Sequence, residues 1–374
     1  MPEQTHQTIR VLLTVPKPTD KTNPYVTDLV DGLRREGVDV GFLDAREIVA
    51  GAWDVVHIQW PEALTEGSTA ARRFVKRVLA LVMLARARMK GAPVIRTVHN
   101  HAPHDGRSRI GGWVEALLDH STDLRIYLNE ADEPRPSPNV VLLHPSYAPV
   151  VDMAEPVAPK QSIFSFGLIR PYKGYEGLIN AWRERDGGGN ALIAGGLGGD
   201  AAYADRVLSA AAETPGMTIH PQFMSENKLQ ETIRASELVV LPYRNLYNSG
   251  AAILALSLGT PVLLGRSPST ESLQDEVGRD RVVLFDGDID ADDLDRGLAV
   301  VRQQRTSGSA FGMNRNALRV AGLHASIYRD LVAAGSQGRR GVLDLLSNSS
   351  RAALQSHSAK NGHLEEIVTQ EACP

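Results

Sequence analysis

Short β-branched runs alternate with amphipathic stretches along this chain, and the alternation restarts after a proline-rich interruption. Segments 8–15, 38–43, 53–59, 94–98, 124–128 and 140–143 read as strands, with helical stretches such as Tyr25 to Glu36, stopped by Gly37, between them. Strands joined through helices demand right-handed crossovers, so the pattern predicts an α/β chain with a doubly wound parallel sheet. Segment 145–160 holds Pro145, Pro149, Pro156 and Pro159 and follows neither periodicity, as a linker does. Six further strand-like runs follow at 162–166, 190–194, 217–220, 238–242, 261–264 and 282–285. Two such sheets bring their C-terminal edges to a common cleft, where folds of this kind bind ligands.

The length of 374 residues suffices for two ordinary domains. The expected division is a Rossmann-like domain at 1–148, a linker at 149–160 and a second Rossmann-like domain at 161–315. A terminal helix at 316–335, crossing back to the first domain, and a polar tail at 336–374 complete it. A hydrophobic share of 43% and a charged share of 22% describe a globular chain rather than a disordered or membrane-spanning one. The net charge of −4 gives no case for nucleic acid. The single cysteine, Cys373, excludes an intramolecular disulfide and a cysteine-based metal site. Met1 to Gln4 lacks the basic and apolar regions of a signal peptide, which points to the cytoplasm.

Residues 72–90 concentrate Arg72, Arg73, Lys76, Arg77, Arg86, Arg88 and Lys90 on one stretch without an acid, interleaved with Phe74, Val75, Val78, Leu79 and Leu81. The spacing predicts a long basic amphipathic helix, too interrupted to span a bilayer. It has two readings: peripheral contact with the anionic inner face of the plasma membrane, or a core-packed helix with a solvated basic side.

Three segments of the second half carry chemistry. In Ser162 to Gly177 an apolar run delivers Gly167, then Arg170 and Lys173, then Gly174 opening a helix. A strand ending in cations beside a free helix N-terminus suits a phosphate group. Gly195 to Gly199 is either a phosphate-cradling loop or a flexible strand-to-helix turn. Asn248, Ser249, Gly250 and Ala251 open an apolar helix, with Ser249 or Asn248 as N-cap and amides a ligand could approach. With Arg170 and Lys173 they form two phosphate sites, which a diphosphate would use together.

Two more segments end strands of the first half. His99, Asn100, His101, His104 and Asp105 form either a metal-binding cluster or a substrate-contacting loop. His57, Gln59, Trp60 and Glu62 place an aromatic among polar groups, as a sugar ring requires, although Trp60 packed in a core is the equal alternative.

These segments together resemble the GT-B nucleotide-sugar glycosyltransferases, particularly the large bacterial family with a "glycosyl transferases group 1" C-terminal domain. The resemblance rests on Phe166 to Gly174, Ala194-Gly195-Gly196, Leu238 to Tyr243, Ser249-Gly250 leading to Leu258-Gly259-Thr260-Pro261-Val262, and Thr97 to Asn100. It implies that Arg170, Lys173 and the amides of Ser249, Gly250 and Ala251 hold the donor diphosphate. Phe223 and Met224 would contact the base, and His99 would lie near the donor sugar. His57, Gln59, Trp60 and Asn100 are the acceptor or sugar contacts expected. No cofactor and no metal are implied beyond the nucleotide sugar.

The family's glutamate pair falls here on Leu246 and Leu254, and Leu168 stands where the family has an arginine. Those departures resemble a branch of bacterial mannosyltransferases of exopolysaccharide and glycolipid assembly. The expected activity is transfer of a hexose to a saccharide or polyprenyl-linked glycolipid. GDP-mannose is the first donor expected and a UDP-sugar the second. If the anomeric centre inverts, His104, Asp105 or Glu62 would serve as base, with His99 the remaining catalytic candidate. The alternatives are a sugar-nucleotide epimerase or phosphorylase on the same fold, and a metallohydrolase using His99, His101, His104 and Asp105.

Overall fold

A computed structural model describes residues 8–19, 22–99, 109–131, 135–136, 138–148, 151, 153, 157–243, 247–303, 308–335, 338–344 and 346. The chain divides into two compact units. The first comprises the described residues of Met1–Lys17, Leu33–Leu142 and Leu323–Pro374, the second those of Pro18–Gly32 and Leu143–Gly322. Where the sequence keeps 1–148 together, residues 18–32 therefore group with the second unit.

The first half of the chain runs β1 (Arg10–Leu13), α1 (Pro24–Arg35), β2 (Asp39–Gly41), α2 (Ala45–Ala50), β3 (Val55–Ile58), α3 (Ala70–Lys90), β4 (Val94–Val98), α4 (Arg109–His120), β5 (Leu124–Tyr127) and β6 (Asn139–Val141). The six strands form one parallel sheet in the order β2-β1-β3-β4-β5-β6. All four residues of β3 are buried, as a strand covered on both faces must be. One side of the sheet packs Leu12, Val56, Ile58 and Val94 against Ala80, Met83, Leu84 and Ala87 of α3 and Leu118 of α4.

The second half runs β7 (Gln161–Phe166), α5 (Tyr175–Glu184), β8 (Ala191–Ala194), α6 (Ala201–Ala212), β9 (Met217–His220), α7 (Glu226–Arg234), β10 (Ser236–Leu241), α8 (Gly250–Ser257), β11 (Val262–Gly265), α9 (Pro268–Val277), β12 (Val282–Phe285), α10 (Ala291–Gln303) and α11 (Ala317–Ala333). Its parallel sheet has the order β12-β11-β10-β7-β8-β9. The order reverses direction between β7 and β10, and in the first sheet between β1 and β3. A crevice opens beyond the strand ends at such switch points, because the flanking crossovers leave in opposite directions.

The two halves of the second unit's core lie on opposite faces of its sheet. Ile163, Val240 and Leu263 pack with α5, α6 and α10; Phe164, Val239 and Leu264 pack with α7, α8 and α9. A partly buried ion pair ties this unit's last segment down: Arg315 Nη2 lies 2.6 Å from Glu276 Oε2, and its Nη1 donates to the His144 carbonyl at 2.7 Å.

Candidate active site

The turn after β7 is set at the switch point of the second sheet. Gly167 takes φ +127°, a conformation a side chain would strain, and turns the chain out of the strand. Residues Pro171–Lys173 make one 3₁₀ turn, closed by Gly174 at φ 70°. A Cβ on Gly174 would lie 2.0 Å from the Pro242 carbonyl oxygen, so this glycine lets the turn sit directly on the end of β10.

That contact carries Lys173 over the ring of Tyr243, with Nζ 3.6 Å from the centroid and 5.2 Å from that of Tyr172. Burial first, and the neighbouring Arg170 second, lower the Lys173 pKa to about 7. A cation held half-discharged among aromatic faces is poised for an anion.

Gly195 to Gly199 serves the turn rather than standing apart as a cradle. Gly167 N donates to Ala194 O, Ile169 N to Gly196 O, and Gly198 N to Ile169 O, which extends the β7–β8 pairing past the strands. The amide of Gly195 is likewise used, by His220 O at 3.0 Å. A Cβ on Gly198 would fall 2.3 Å from Arg170 Cγ, and one on Gly196 2.5 Å from the Phe223 ring. The glycines thus make the floor on which Arg170 and Phe223 lie. Phe223 is 79% exposed, an aromatic face open to a ligand, whereas Met224 packs into the core.

Ser249 caps α8, its hydroxyl accepting from Ala252 N at 3.2 Å, so its side chain is engaged in folding. The amides of Gly250 and Ala251 belong to the first helical turn, where α8 has no intrahelical acceptor for them. Tyr147 Oη and His144 Nε2 would lie 2.8 Å and 3.8 Å from a Cβ on Gly250. Asp28 of α1, which no local motif in the sequence marks, has its pKa raised to about 6 by burial and then by Asp31 and Glu226.

In the first unit, His57 and Gln59 depart from expectation. They are 0% and 1% exposed, and a buried network takes up their side chains. His57 Nδ1 meets Tyr328 Oη at 2.5 Å and its Nε2 meets Thr97 Oγ1 at 2.8 Å. Gln59 Nε2 lies 3.1 Å from His57 Nε2, and its Oε1 lies 2.8 Å from His99 Nε2. The β-branched run that marks β3 gave no warning, because both faces of that strand are covered. Trp60 stacks on His99, 4.3 Å between centroids and 17° between planes. Glu62 is exposed, in a one-turn 3₁₀ helix at Pro61–Leu64. Asn100, His101, His104 and Asp105 lie outside the described residues.

The basic helix is α3, with Thr69 as N-cap and Gly91 as left-handed C-cap. Several of its cations fasten loops: Arg73 to Gly67 O, Lys76 to Glu66 O, Arg77 to Thr65 O, Lys90 to Gly51 O. Its outer apolar face is nevertheless bare. Phe74 is 69% exposed, as are Ile110 (65%) and Trp113 (61%) of α4, and the two helices flank a groove of about 500 Å³. Among the described residues, no helix is long and apolar enough to cross a membrane.

Comparison with known proteins agrees with this layout. HepE from Anabaena, solved with UDP-glucose, superposes with a TM-score of 0.57 at 12% identity, covering 87% of this chain and 98% of that one. AviGT4, a glycosyltransferase of avilamycin A biosynthesis, gives 0.53 at 16% identity over 88% and 99%. Sucrose-phosphate synthase from Thermosynechococcus elongatus gives 0.56 at 14% identity over 95% and 100%. No known protein-family model matches the chain. Two parallel doubly wound sheets with these neighbours define the GT-B fold.

Two Xanthomonas campestris pv. campestris proteins, each named GDP-mannose:glycolipid 4-β-D-mannosyltransferase, are 34% identical to it over 335 residues, or 88% of this chain and 94% of theirs. The chain belongs to the glycosyltransferase family of these enzymes.

Proposed function

We propose that the protein transfers mannose from GDP-mannose to a saccharide carried on a lipid, as a step of exopolysaccharide or glycolipid assembly. The observation that carries this is the family relationship, which runs through the whole cation-bearing turn at the β7/β10 switch point. Arg170 and Lys173 take the donor diphosphate, with the amides of Gly250 and Ala251 as further donors. Guanine lies on Phe223.

The acceptor hydroxyl oxygen forms a bond to the anomeric carbon as the bond from that carbon to the β-phosphate oxygen breaks. The electron pair leaves on GDP, and the two cations stabilise the charge that develops there. With cations and helix amides to neutralise the diphosphate, the reaction runs without a metal. A β-linked product from an α-linked donor requires inversion, so the hydroxyl proton passes to a base. His99, Glu62 and the segment holding His104 and Asp105 supply the candidates.

A lipid-borne acceptor lies at a membrane surface, and the α3–α4 face suits contact with the anionic inner leaflet. Phe74, Ile110 and Trp113 provide an apolar wedge, with Arg73 and Arg77 lining the same groove. With vesicles containing anionic lipid, Trp113 fluorescence should shift to the blue and the protein should float with the vesicles. Co-flotation should be lost in Phe74→Ser/Trp113→Ser; equal flotation of that variant contradicts the contact.

For the activity itself, purified protein without metal should convert GDP-mannose and a membrane lipid extract to GDP and mannosyl-lipid. Arg170→Ala/Lys173→Ala should abolish it while leaving the fold intact. Interconversion of the donor sugar without any acceptor would instead favour an epimerase.

A further inference from the structure

We infer that the groove between α3 and α4 takes the lipid chain of the acceptor, and that Arg73, Lys76 and Arg77 take the diphosphate joining an isoprenoid chain to its sugar. The inference rests on the lipid-borne acceptor proposed above and deepens it, giving the lipid half of that substrate a site of its own. A bilayer pressed against Phe74, Ile110 and Trp113 touches only the rim, whereas the space between the helices holds about 500 Å³.

The topology sets the position. In a parallel sheet each crossover helix starts at the C-terminal edge of the strand before it and runs back towards the start of the next. α3 follows β3 and α4 follows β4, so both helices begin at the edge where β3 delivers Trp60 and β4 delivers His99. The groove is lined from that end. On α3 it runs from Ala70 to Leu81, about 16 Å at the helical rise, and Ile110 and Trp113 of α4 face it. An apolar slot of that length fits an extended chain better than a compact head group.

The cations say what the chain is joined to. Side chains on a helix lean towards its N-terminus, so these three reach the loop between Trp60 and α3. Arg73 Nη1 donates to Gly67 O at 3.0 Å, Lys76 Nζ to Glu66 O at 2.8 Å and Arg77 Nε to Thr65 O at 3.1 Å. Carbonyl oxygens orient these groups without neutralising them. Two acids share this contact among the described residues. Glu66 Oε1 lies 3.6 Å from Arg77 Nη2, and the buried Glu115 accepts from Thr65 Oγ1 at 2.8 Å. With Arg72, held by Ser68 Oγ at 3.1 Å, the cations outnumber the acids and keep a surplus for an anion of more than one charge. A diphosphate carries that charge, and a neutral lipid does not. Sugar at Trp60, diphosphate at the loop and chain in the groove then follow the order in which the acceptor itself is joined.

The probe is farnesyl diphosphate, added to the full chain below its micelle-forming concentration and without vesicles. Binding should shift Trp113 emission to the blue, a signal absent in Trp113→Phe. Inorganic diphosphate and farnesol should each bind at least about tenfold more weakly. Arg73→Gln should weaken farnesyl diphosphate by about 10–100-fold, the worth of a charged hydrogen bond. Val78 is 41% exposed, so Val78→Phe fills the groove without entering the core. It should weaken the probe by at least about tenfold, as excluding a pair of methylene groups would. It should also raise KM for a lipid-linked acceptor, keep KM for GDP-mannose within about twofold, and still float with anionic vesicles. Arg170→Ala/Lys173→Ala should bind the probe as the wild type does, which separates this site from the donor's. Unchanged affinity in both Arg73→Gln and Val78→Phe, or loss of binding in the Arg170/Lys173 double variant, overturns the inference. If the probe binds in the groove of a protein that transfers no mannose, the groove stands and the mannosyltransferase reading fails. Transfer to a lipid-linked acceptor without probe binding overturns the groove alone.

Discussion

Filling the donor site should draw a proton onto Lys173. Its pKa is about 7, against 10.5 for the ordinary amine, because it is buried and stands beside Arg170. A diphosphate replaces the lost solvation and restores the charged form. At pH 8 an amine of pKa about 7 is about one-tenth protonated, so GDP binding should take up about 0.9 proton. GDP adds no proton change of its own there, since its terminal phosphate, with a pKa near 6, is already fully ionised. The same linkage lowers the apparent affinity by about 50-fold between pH 7 and pH 9. Titration calorimetry in two buffers of different ionisation enthalpy reads the uptake directly. In Lys173→Met the uptake and the pH dependence should vanish, and affinity at pH 7 should fall by about 10–100-fold, the worth of a charged hydrogen bond. No uptake at pH 8 with a flat Kd from pH 7 to pH 9 would refute the placement of Lys173 at the diphosphate.

Other predictions concern the same neighbourhoods. Asp28 has a folded-state pKa raised to about 6, so the folded chain binds more protons than the unfolded one between about pH 4 and pH 6, and stability falls as pH rises through that range. Asp28→Asn should therefore raise Tm at pH 7.5 and leave it little changed at pH 4. His144, lowered to about 4 by burial, and His57 act oppositely: the unfolded chain takes up protons first, and Tm should drop as pH falls from 6.5 towards 4. Gly250→Ala would place a Cβ 2.8 Å from Tyr147 Oη but 3.9 Å from its Cζ. It should weaken GDP binding, and Gly250→Ala/Tyr147→Phe should recover most of the loss. Arg315→Ala leaves the buried His144 carbonyl without this donor and breaks the partly buried pair with Glu276, and should cost about 2–3 kcal/mol in denaturant unfolding.

The sheets were legible in the sequence because fully buried parallel strands concentrate β-branched residues between turn-forming glycines. Runs such as 94–98 and 282–285 coincide with β4 and β12 to the residue. The turn that carries Arg170 and Lys173 was legible too as a local shape, since Gly167, Arg170, Lys173 and Gly174 sit on one loop whose geometry the glycines dictate. What surrounds them was not. Tyr243 arrives from β10 and Phe223 from the loop after β9, and only the strand order brings both to Lys173 and Gly196. His57 shows the reverse failure. Its neighbours Gln59 and Trp60 suggested a ligand-facing strand end, but its partner Tyr328 is 271 residues away and turns that end into a buried network. The roles of the α3 cations were not legible either, because nothing in their spacing says that Arg77 and Lys90 fasten loops.

Donor and product decide whether this protein transfers mannose from GDP-mannose to a lipid-borne saccharide. Purified protein, GDP-[¹⁴C]mannose and a polyprenyl-linked oligosaccharide acceptor, with EDTA present, should yield labelled lipid and one GDP per mannose transferred, with β configuration at the new bond. Neither product should form with Arg170→Ala/Lys173→Ala. Unchanged GDP-mannose beside consumption of a UDP-sugar, or full activity in the double variant, would contradict it.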